Sequence, residues 1–296
     1  MTGRQSRRDL LVEVAGVEVV RWNPRVARSG LRWPLSDRSR PRRDNFGDLL
    51  GPLVVQRLAT VADPSATGRG GPTEGAARLL AVGSILHFAV DGDVVWGAGA
   101  NGKIDQQRHR WRTLDVRAVR GPLTERFLLA AGQHVPPVHG DPAQLLPHLF
   151  PVMRHWATRR SRALTVVPNL NDAAALSGHP AYLDPTTSLE ECLRTIVQSE
   201  LVIGSSLHSV VVAEAFGVPA RFVRSVAEHE FKYLDYLAAT GRPGATICAS
   251  VAEAERLGGY EAPTWDPGPL LDAFPHDLWD RGPAVPTAAP GRPVRA

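Results

Sequence analysis

The stretch Leu201–Val223, LVIGSSLHSVVVAEAFGVPARFV, constrains the fold more than any other part of the chain. Leu201, Val202 and Ile203 form an apolar run that Gly204-Ser205-Ser206 interrupts. Leu207, Val210, Val211 and Phe216 then fall on one helical face, Gly217 stands where a helix needs a left-handed C-terminal residue, and Pro219 stops the helix. The order strand, polar turn, helix, strand is a βαβ half-unit. In an open α/β sheet ligands gather beyond the carboxyl ends of strands, which puts Ser205, Ser206 and His208 where a site is expected. First-turn amides at that point favour an anion, and a histidine beside them can give or take a proton. A hydroxyl cap followed by a structural imidazole fits the same residues equally well, so the rest of the chain must decide.

With 296 residues the chain is long enough for two domains. A hydrophobic content of 43% and a mean hydropathy of −0.15 describe a globular protein. The sequence pI of about 9.5 invites a nucleic-acid reading, yet the net charge is only +4 and no basic stripe interleaved with aromatics is present, so no nucleic-acid partner is expected. Arginine supplies nearly all the positive charge; Lys103 and Lys232 are the two lysines. Cys192 and Cys248 are too few and too far apart for a disulfide framework or a zinc site. There is no apolar run of about 18 residues, and Glu13 and Glu18 interrupt the early segment Leu10–Val20. These features lead us to expect a cytoplasmic protein with no membrane span, although peripheral association is compatible with them.

Read in order, Val17–Trp22 is a first strand and Asn23–Arg43 is irregular. Asn45-Phe46-Gly47-Asp48 opens a helix with Leu49, Leu50, Leu53, Val54 and Leu58 at helical spacing, and Asn45 or Asp48 is placed to cap it. Ala62–Arg78 reads as a mobile loop. Leu79–Val82 and Val94–Trp96 are strands, and the second runs into Gly97-Ala98-Gly99-Ala100-Asn101-Gly102. That spelling matches a dinucleotide fingerprint, but Lys103–Arg110 offers only Ile104 for the amphipathic helix the fingerprint requires, so no nicotinamide or flavin is expected. Leu114–Val119 leads through Arg120-Gly121-Pro122 into the helix Leu123–Ala131. Arg120 thus sits at a strand's carboxyl end, where its fork suits a phosphate or carboxylate. Asp141 reads as a helix cap. Residues 148–162 form the linker, with a domain boundary at 153/154. Leu164–Val167 starts a second alternating unit, Ser188-x-x-Glu191 is a capping box, and residues 281–296, with four prolines in sixteen positions, are expected to be disordered.

Six segments in this order resemble the polysaccharide pyruvyl transferase family: Asn45-Phe46-Gly47-Asp48-Leu49-Leu50, Val95-Trp96-Gly97-Ala98-Gly99, Val119-Arg120-Gly121-Pro122-Leu123-Thr124, Gly140-Asp141-Pro142-Ala143-Gln144-Leu145-Leu146, Ser205-Ser206-Leu207-His208 and Phe231-Lys232-Tyr233-Leu234-Asp235-Tyr236. The resemblance implies an α/β fold of two Rossmann-like domains, residues 1–153 and 154–280, facing a cleft as in GT-B glycosyltransferases. It also implies transfer of the pyruvyl group of phosphoenolpyruvate, with no cofactor, to a glycan or lipid-linked sugar as a cyclic ketal. Matched motif by motif, Arg120 and His208 take the family's donor-binding positions, with Ser205, Ser206 and Leu207 beside them. Many members read Arg-Leu-His where this chain has Ser206-Leu207-His208. One cation is therefore displaced, and Lys232 and Lys103 are the candidates to replace it. Asn45, Gly47, Gly97, Gly99 and Asn101 are expected along the cleft.

Ketal formation from an enol phosphate needs a proton at the methylene carbon, attack by a sugar hydroxyl, loss of phosphate and closure by a second hydroxyl. His208 is the candidate acid or phosphate partner, and Asp48 the candidate base. A GT-B glycosyltransferase using a nucleotide sugar, or a non-catalytic protein that keeps the donor site, would fit the same pattern. The acceptor sugar and the oligomeric state are not legible in the sequence.

Overall fold

The structure, a computed structural model, describes residues 10–22, 44–62 and 76–280. The expectations for residues 23–43, 63–75 and 281–296 lie outside it. The fold is mixed α/β with two sheets that are mainly parallel. In the first, β1 (Leu11–Val14) pairs antiparallel with β2 (Val17–Val20), and β3 (Arg78–Leu80), β4 (Val94–Trp96) and β5 (Asp115–Ala118) follow in parallel. The second sheet is β6 (Arg162–Val167), β7 (Ser199–Gly204) and β8 (Ala220–Phe222), all parallel. The strand β1 was not expected. Its hairpin turns on Ala15 and Gly16, both at positive φ (47° and 87°), and only the glycine of that pair announces the turn in the sequence.

The helices of seven or more residues are α1 (Phe46–Ala62), α2 (Pro122–Ala130), α3 (Leu189–Val197), α4 (Leu207–Ala215), α5 (Phe231–Ala239) and α6 (Val251–Leu257). Their starts follow the capping signals. Ser188 Oγ accepts from Glu191 N, and Asp141 forms a capping box with Gln144 on the turn Pro142–Leu145. Residues 199–222 fold as the sequence dictates, β7, α4, β8, and Gly217 adopts φ +67° to end α4. Short helical turns over residues 146–157 connect the two sheets, where the sequence lacks strand signals.

One hydrophobic cluster joins both halves. Phe46, Leu50, Val54 and Leu58, spaced by four along α1, are buried together with Val19 and Leu79 of the first sheet and with Ile196, Val210 and Val211 of the second layer of helices. Each such side chain contributes about 1.5–3 kcal/mol by leaving water, so α1 fixes the two sheets against each other rather than belonging to one of them. Both cysteines are buried and unpaired, and no described helix is long and apolar enough to cross a membrane.

A polar cross-link completes the join. Asp235 on α5 accepts from Arg120 Nε (3.0 Å), from Leu123 N and Thr124 N at the start of α2 (2.9 and 3.0 Å) and from Thr124 Oγ1 (2.6 Å), with Arg120 and Asp235 both fully buried. Gly121 makes this approach feasible, because a Cβ there would collide with the Asp235 backbone carbonyl. Removing one partner of such a pair strands a buried guanidinium and two helix amides. Asp235→Ala is therefore expected to cost about 3–5 kcal/mol, read as a lower urea midpoint at unchanged slope; a shift under 1 kcal/mol would show that the cross-link is not structural.

Candidate active site

The carboxyl ends of β2, β3, β6 and β7, and the loops after β4 and β8, meet at one cavity of about 450 Å³. Trp22 follows β2, Gly83 and Ser84 follow β3, Asn101 and Lys103 follow β4, Asn169 and Asn171 follow β6, Ser206, Leu207 and His208 follow β7, and Glu228 and Lys232 follow β8. Asn45 and Asp48 of α1 close one side. This is where an open α/β sheet collects ligands, here from two sheets at once.

Of the residues singled out in the sequence, Asn45, Asp48, Asn101, Lys103, Ser206, Leu207, His208 and Lys232 line the cavity. The others stand behind its wall. Arg120 is fully buried, and besides Asp235 it donates to Ser84 Oγ (2.6 Å) and to the Ala100 carbonyl (2.8 Å), so it holds a lining serine instead of lining the cavity itself. Ser205 Oγ donates to Asp172 (2.7 Å) and accepts from Asn169 N (2.9 Å), a fully used hydroxyl that fixes the 169–172 loop. Gly97 packs on Pro142 and Gly99 on the Arg120 guanidinium, each where a side chain would clash. No α-helix intervenes between this glycine loop and β5, only a single 3-10 turn at Gln106–Arg108.

His208 is more enclosed than a first-turn position suggests, at 8% exposure, because α1 and the Asp141 turn cover it. A Cβ at Gly47 would lie 2.6 Å from its Nδ1, so glycine is required for α1 to pass over the ring. Its Nε2 faces Asp141 Oδ2 at 3.4 Å, an ion-pair distance without a formed hydrogen bond, and both atoms are shielded from water. Asp141 Oδ1 is held by Ala143 N, which aims the other oxygen at the imidazole. Ser206 is the N-cap of α4, lines the cavity and makes no side-chain capping bond to the first-turn amides.

Lys103 Nζ and Lys232 Nζ both contact Glu228, at 2.7 and 3.1 Å, so the only two lysines of the chain share one carboxylate in the cavity wall. Burial pulls the Lys232 ammonium below the usual lysine range, against the pull of Glu228. Burial alone would raise Glu228, but Lys232 and Lys103 overcome it and hold the group below the usual carboxylate range. Asp48 goes the other way. Burial pushes its carboxyl up to about 8, only partly offset by Arg21 and Lys232, and its Oδ2 has no hydrogen-bond partner among the described residues. Half-buried His87 is held down at about 4, desolvation being the largest cause. Among the described residues no cluster of His, Cys, Asp or Glu is suited to hold a metal ion.

Glu228, His87, Phe88, Trp22, Asn169 and Asn171 were not singled out as site residues. Glu228 had a readable signal, an i,i+4 partner for one of two lysines, and the asparagines lie just beyond a strand that had been assigned.

The family model for polysaccharide pyruvyl transferases matches residues 70–225. The chain belongs to that family. The matched segment carries Ser84, Asn101, Lys103, Asn169 and His208, while Trp22, Asp48, Glu228 and Lys232 complete the cavity from outside it. The succinoglycan biosynthesis protein ExoV of Rhizobium meliloti (strain 1021) is 33% identical over 197 residues, which covers 60% of this chain and 58% of the relative. The match therefore spans less than two-thirds of that relative's length. No solved structure matches the chain.

The raised Asp48 fixes a sign for stability. The folded chain keeps the Asp48 proton up to about pH 8, whereas the unfolded chain loses it near 3.8, so folding stability contributed by this residue falls as pH rises between those values. Asp48→Asn, which mimics the protonated form, is expected to melt like the parent at pH 4 and about 3 °C or more above it at pH 8. A difference that does not change with pH would refute the raised carboxyl.

Proposed function

We propose that the protein transfers the pyruvyl group of phosphoenolpyruvate to a sugar residue of a glycan, or of a lipid-linked glycan precursor, forming a pyruvate ketal. The observation that carries this reading is the charge arrangement of a single cavity in a chain of this family: two lysines on one carboxylate, a helix N-terminus with an aspartate-backed histidine, and a carboxyl group kept neutral beside them. Phosphoenolpyruvate brings two anionic groups. A deprotonated Asp48 would repel them, whereas a neutral one tolerates them and still holds a proton to give.

Asp48 delivers its proton to the methylene carbon, which becomes the methyl group, and the adjacent carbon takes on positive charge. A sugar hydroxyl attacks that carbon, and the Asp48 carboxylate accepts the hydroxyl proton. Phosphate departs with the electron pair of its ester bond, steadied by His208, the α4 amides and Lys232, and carries away the proton of the second hydroxyl that closes the ring. Asp141 orients the imidazole. Arg120 acts one layer back, by holding Ser84 and the Ala100 carbonyl in place. In this reading the two sheets correspond to two Rossmann-like lobes arranged as in GT-B enzymes, with the boundary at 153/154. The donor is a cytoplasmic metabolite, which places the reaction in the cytoplasm.

The decisive assay is acceptor-dependent phosphate release from phosphoenolpyruvate across a panel of sugar acceptors, set beside thermal shifts with phosphoenolpyruvate, UDP and GDP. A shift with the nucleotides alone would point to a nucleotide-sugar glycosyltransferase instead. His208→Ala is expected to lower turnover about 10²-fold or more, and His208→Gln, which keeps a polar group opposite Asp141, should do the same with less loss of melting temperature. Unchanged turnover in both would make the histidine structural.

The displaced cation is tested separately. Lys232→Ala is expected to raise the donor KM about tenfold or more, and Ser206→Arg to weaken donor binding by crowding Lys232, since a charged hydrogen bond contributes roughly 1.5–3 kcal/mol. Tighter binding in Ser206→Arg would instead mean that the position is vacant and Lys232 is not the replacement.

A further inference from the structure

Trp22 differs from four of the five other described tryptophans, the fifth, Trp156, lying under the Arg194 guanidinium away from the cavity. Trp96, Trp111, Trp265 and Trp279 each donate their indole N–H to a backbone carbonyl and are built into the packing. Trp22 is 37% exposed at the cavity wall, and its ring lies flat on Phe88, with centroids 5.4 Å apart and planes within 15°. His87 continues the aromatic surface at 3.9 Å from Phe88. The turn beneath is pinned from three sides: Leu86 N donates to Gly99 O, Trp111 Nε1 donates to Leu86 O, and an Arg78 guanidinium donates to Phe88 O. The backbone under the aromatic surface is therefore held, with Trp22 parallel to Phe88 and His87 tilted by 44° beside it, along one side of the cavity.

A three-carbon phosphoester has no use for such a shelf, and a cavity of about 450 Å³ is larger than it fills. We propose that Trp22 and Phe88, continued by His87, are the platform on which a pyranose ring of the acceptor stacks through its C–H face, with the side-chain amides of Asn45 and Asn101 at its edge to bind hydroxyls. This rests on the pyruvyl-transfer reading for the identity of the acceptor, and it adds the subsite. An aromatic face offers a sugar a large rigid contact at little entropic cost, and neutral amides both donate and accept, as hydroxyl groups require. Asn101 is already oriented, with its Oδ1 held by Lys103 N and its Nδ2 3.3 Å from His87 Nδ1. Held below the usual imidazole range by desolvation, His87 adds no charge of its own to this end of the cavity. Asp48 lines the same cavity as Trp22 and Lys232.

The test uses the full chain with methyl β-D-galactopyranoside, methyl β-D-glucopyranoside and methyl α-D-mannopyranoside up to about 100 mM, and sorbitol as an open-chain polyol, read by saturation-transfer NMR. At least one pyranoside is expected to receive saturation on the C–H protons of one ring face, while sorbitol receives none. Trp22→Ala should weaken that binding about tenfold or more and Trp22→Phe by less than about threefold, with the phosphoenolpyruvate thermal shift unchanged in both. The proposal falls if no pyranoside binds, if sorbitol competes equally, or if Trp22→Ala and Phe88→Ala both bind the pyranosides as the parent does. If binding depends on Trp22 while phosphoenolpyruvate produces no shift in the parent, the sugar platform stands and the pyruvyl-transfer reading falls.

Discussion

The Asp235 carboxylate is the constraint on which the cavity depends. It lies on α5, in the second half of the chain, and all four of its hydrogen bonds go to residues 120–124 of the first half. Two of those bonds satisfy amides at the start of α2, which lacks a side-chain cap of its own because Gly121 occupies the N-cap. The other two hold Arg120 and Thr124. Arg120 passes the constraint on to Ser84 and to the Ala100 carbonyl, and Thr124 Oγ1 accepts from Ala100 N at 3.2 Å, so the loops after β3 and β4 take their positions from a carboxylate more than a hundred residues later. The same helix α5 carries Lys232 into the cavity and Tyr233, whose hydroxyl donates to Ser205 O at 2.6 Å at the head of α4. One helix therefore sets the lysine, the β7–α4 turn and the first-sheet loops together. Burying an ion pair is costly, and here the geometry is saturated with donors, which offsets that cost and admits one arrangement of the halves.

This explains which parts were legible in the sequence. The βα alternation, the β7–α4–β8 unit, the caps at Ser188 and Asp141, and the clustering of Asn45, Asp48, Asn101, Ser206 and His208 all depend on local periodicity and on the rule that ligands gather at strand ends. The role of Arg120 does not. An arginine at a strand's carboxyl end has the same local signature whether it faces a ligand or a buried aspartate, and the choice is made by Asp235, remote in sequence. Trp22 and Phe88 are similar: each is an ordinary aromatic residue at the end of an element, and only their 5.4 Å stacking makes a surface of them. The strand β1 was missed because its turn relies on Ala15 in a left-handed conformation that alanine rarely adopts.

Four carboxylates around the cavity have different tasks, set by what surrounds them. Asp235 is enclosed by donors and acts as structure. Glu228 lies between two ammonium groups and is held ionised. Asp141 spends one oxygen on a helix turn and turns the other toward His208. Asp48, half-buried with its Oδ2 unpartnered among the described residues, is held well above the usual carboxylate range by desolvation. Asp48 and Glu228 thus line one cavity with their carboxyl groups pushed in opposite directions, the arrangement that separates an acid from a carboxylate.

The relocation of a cation from position 206 to Lys232 has a further consequence under the pyruvyl-transfer reading. An arginine at the N-cap of α4 would meet the donor as a free guanidinium reinforced by the helix amides. Lys232 is instead engaged with Glu228, which also holds Lys103 from the loop after β4. A singly charged anion offers Lys232 little that Glu228 does not already provide, so it gains almost nothing by entering. A ligand that carries both a carboxylate and a phosphate can engage the α4 amides and His208 with one group and draw Lys232 or the half-exposed Lys103 from the shared carboxylate with the other. Under that reading the lysine–glutamate–lysine cluster would favour a ligand with two anionic groups, a discrimination that a single arginine at position 206 would lack.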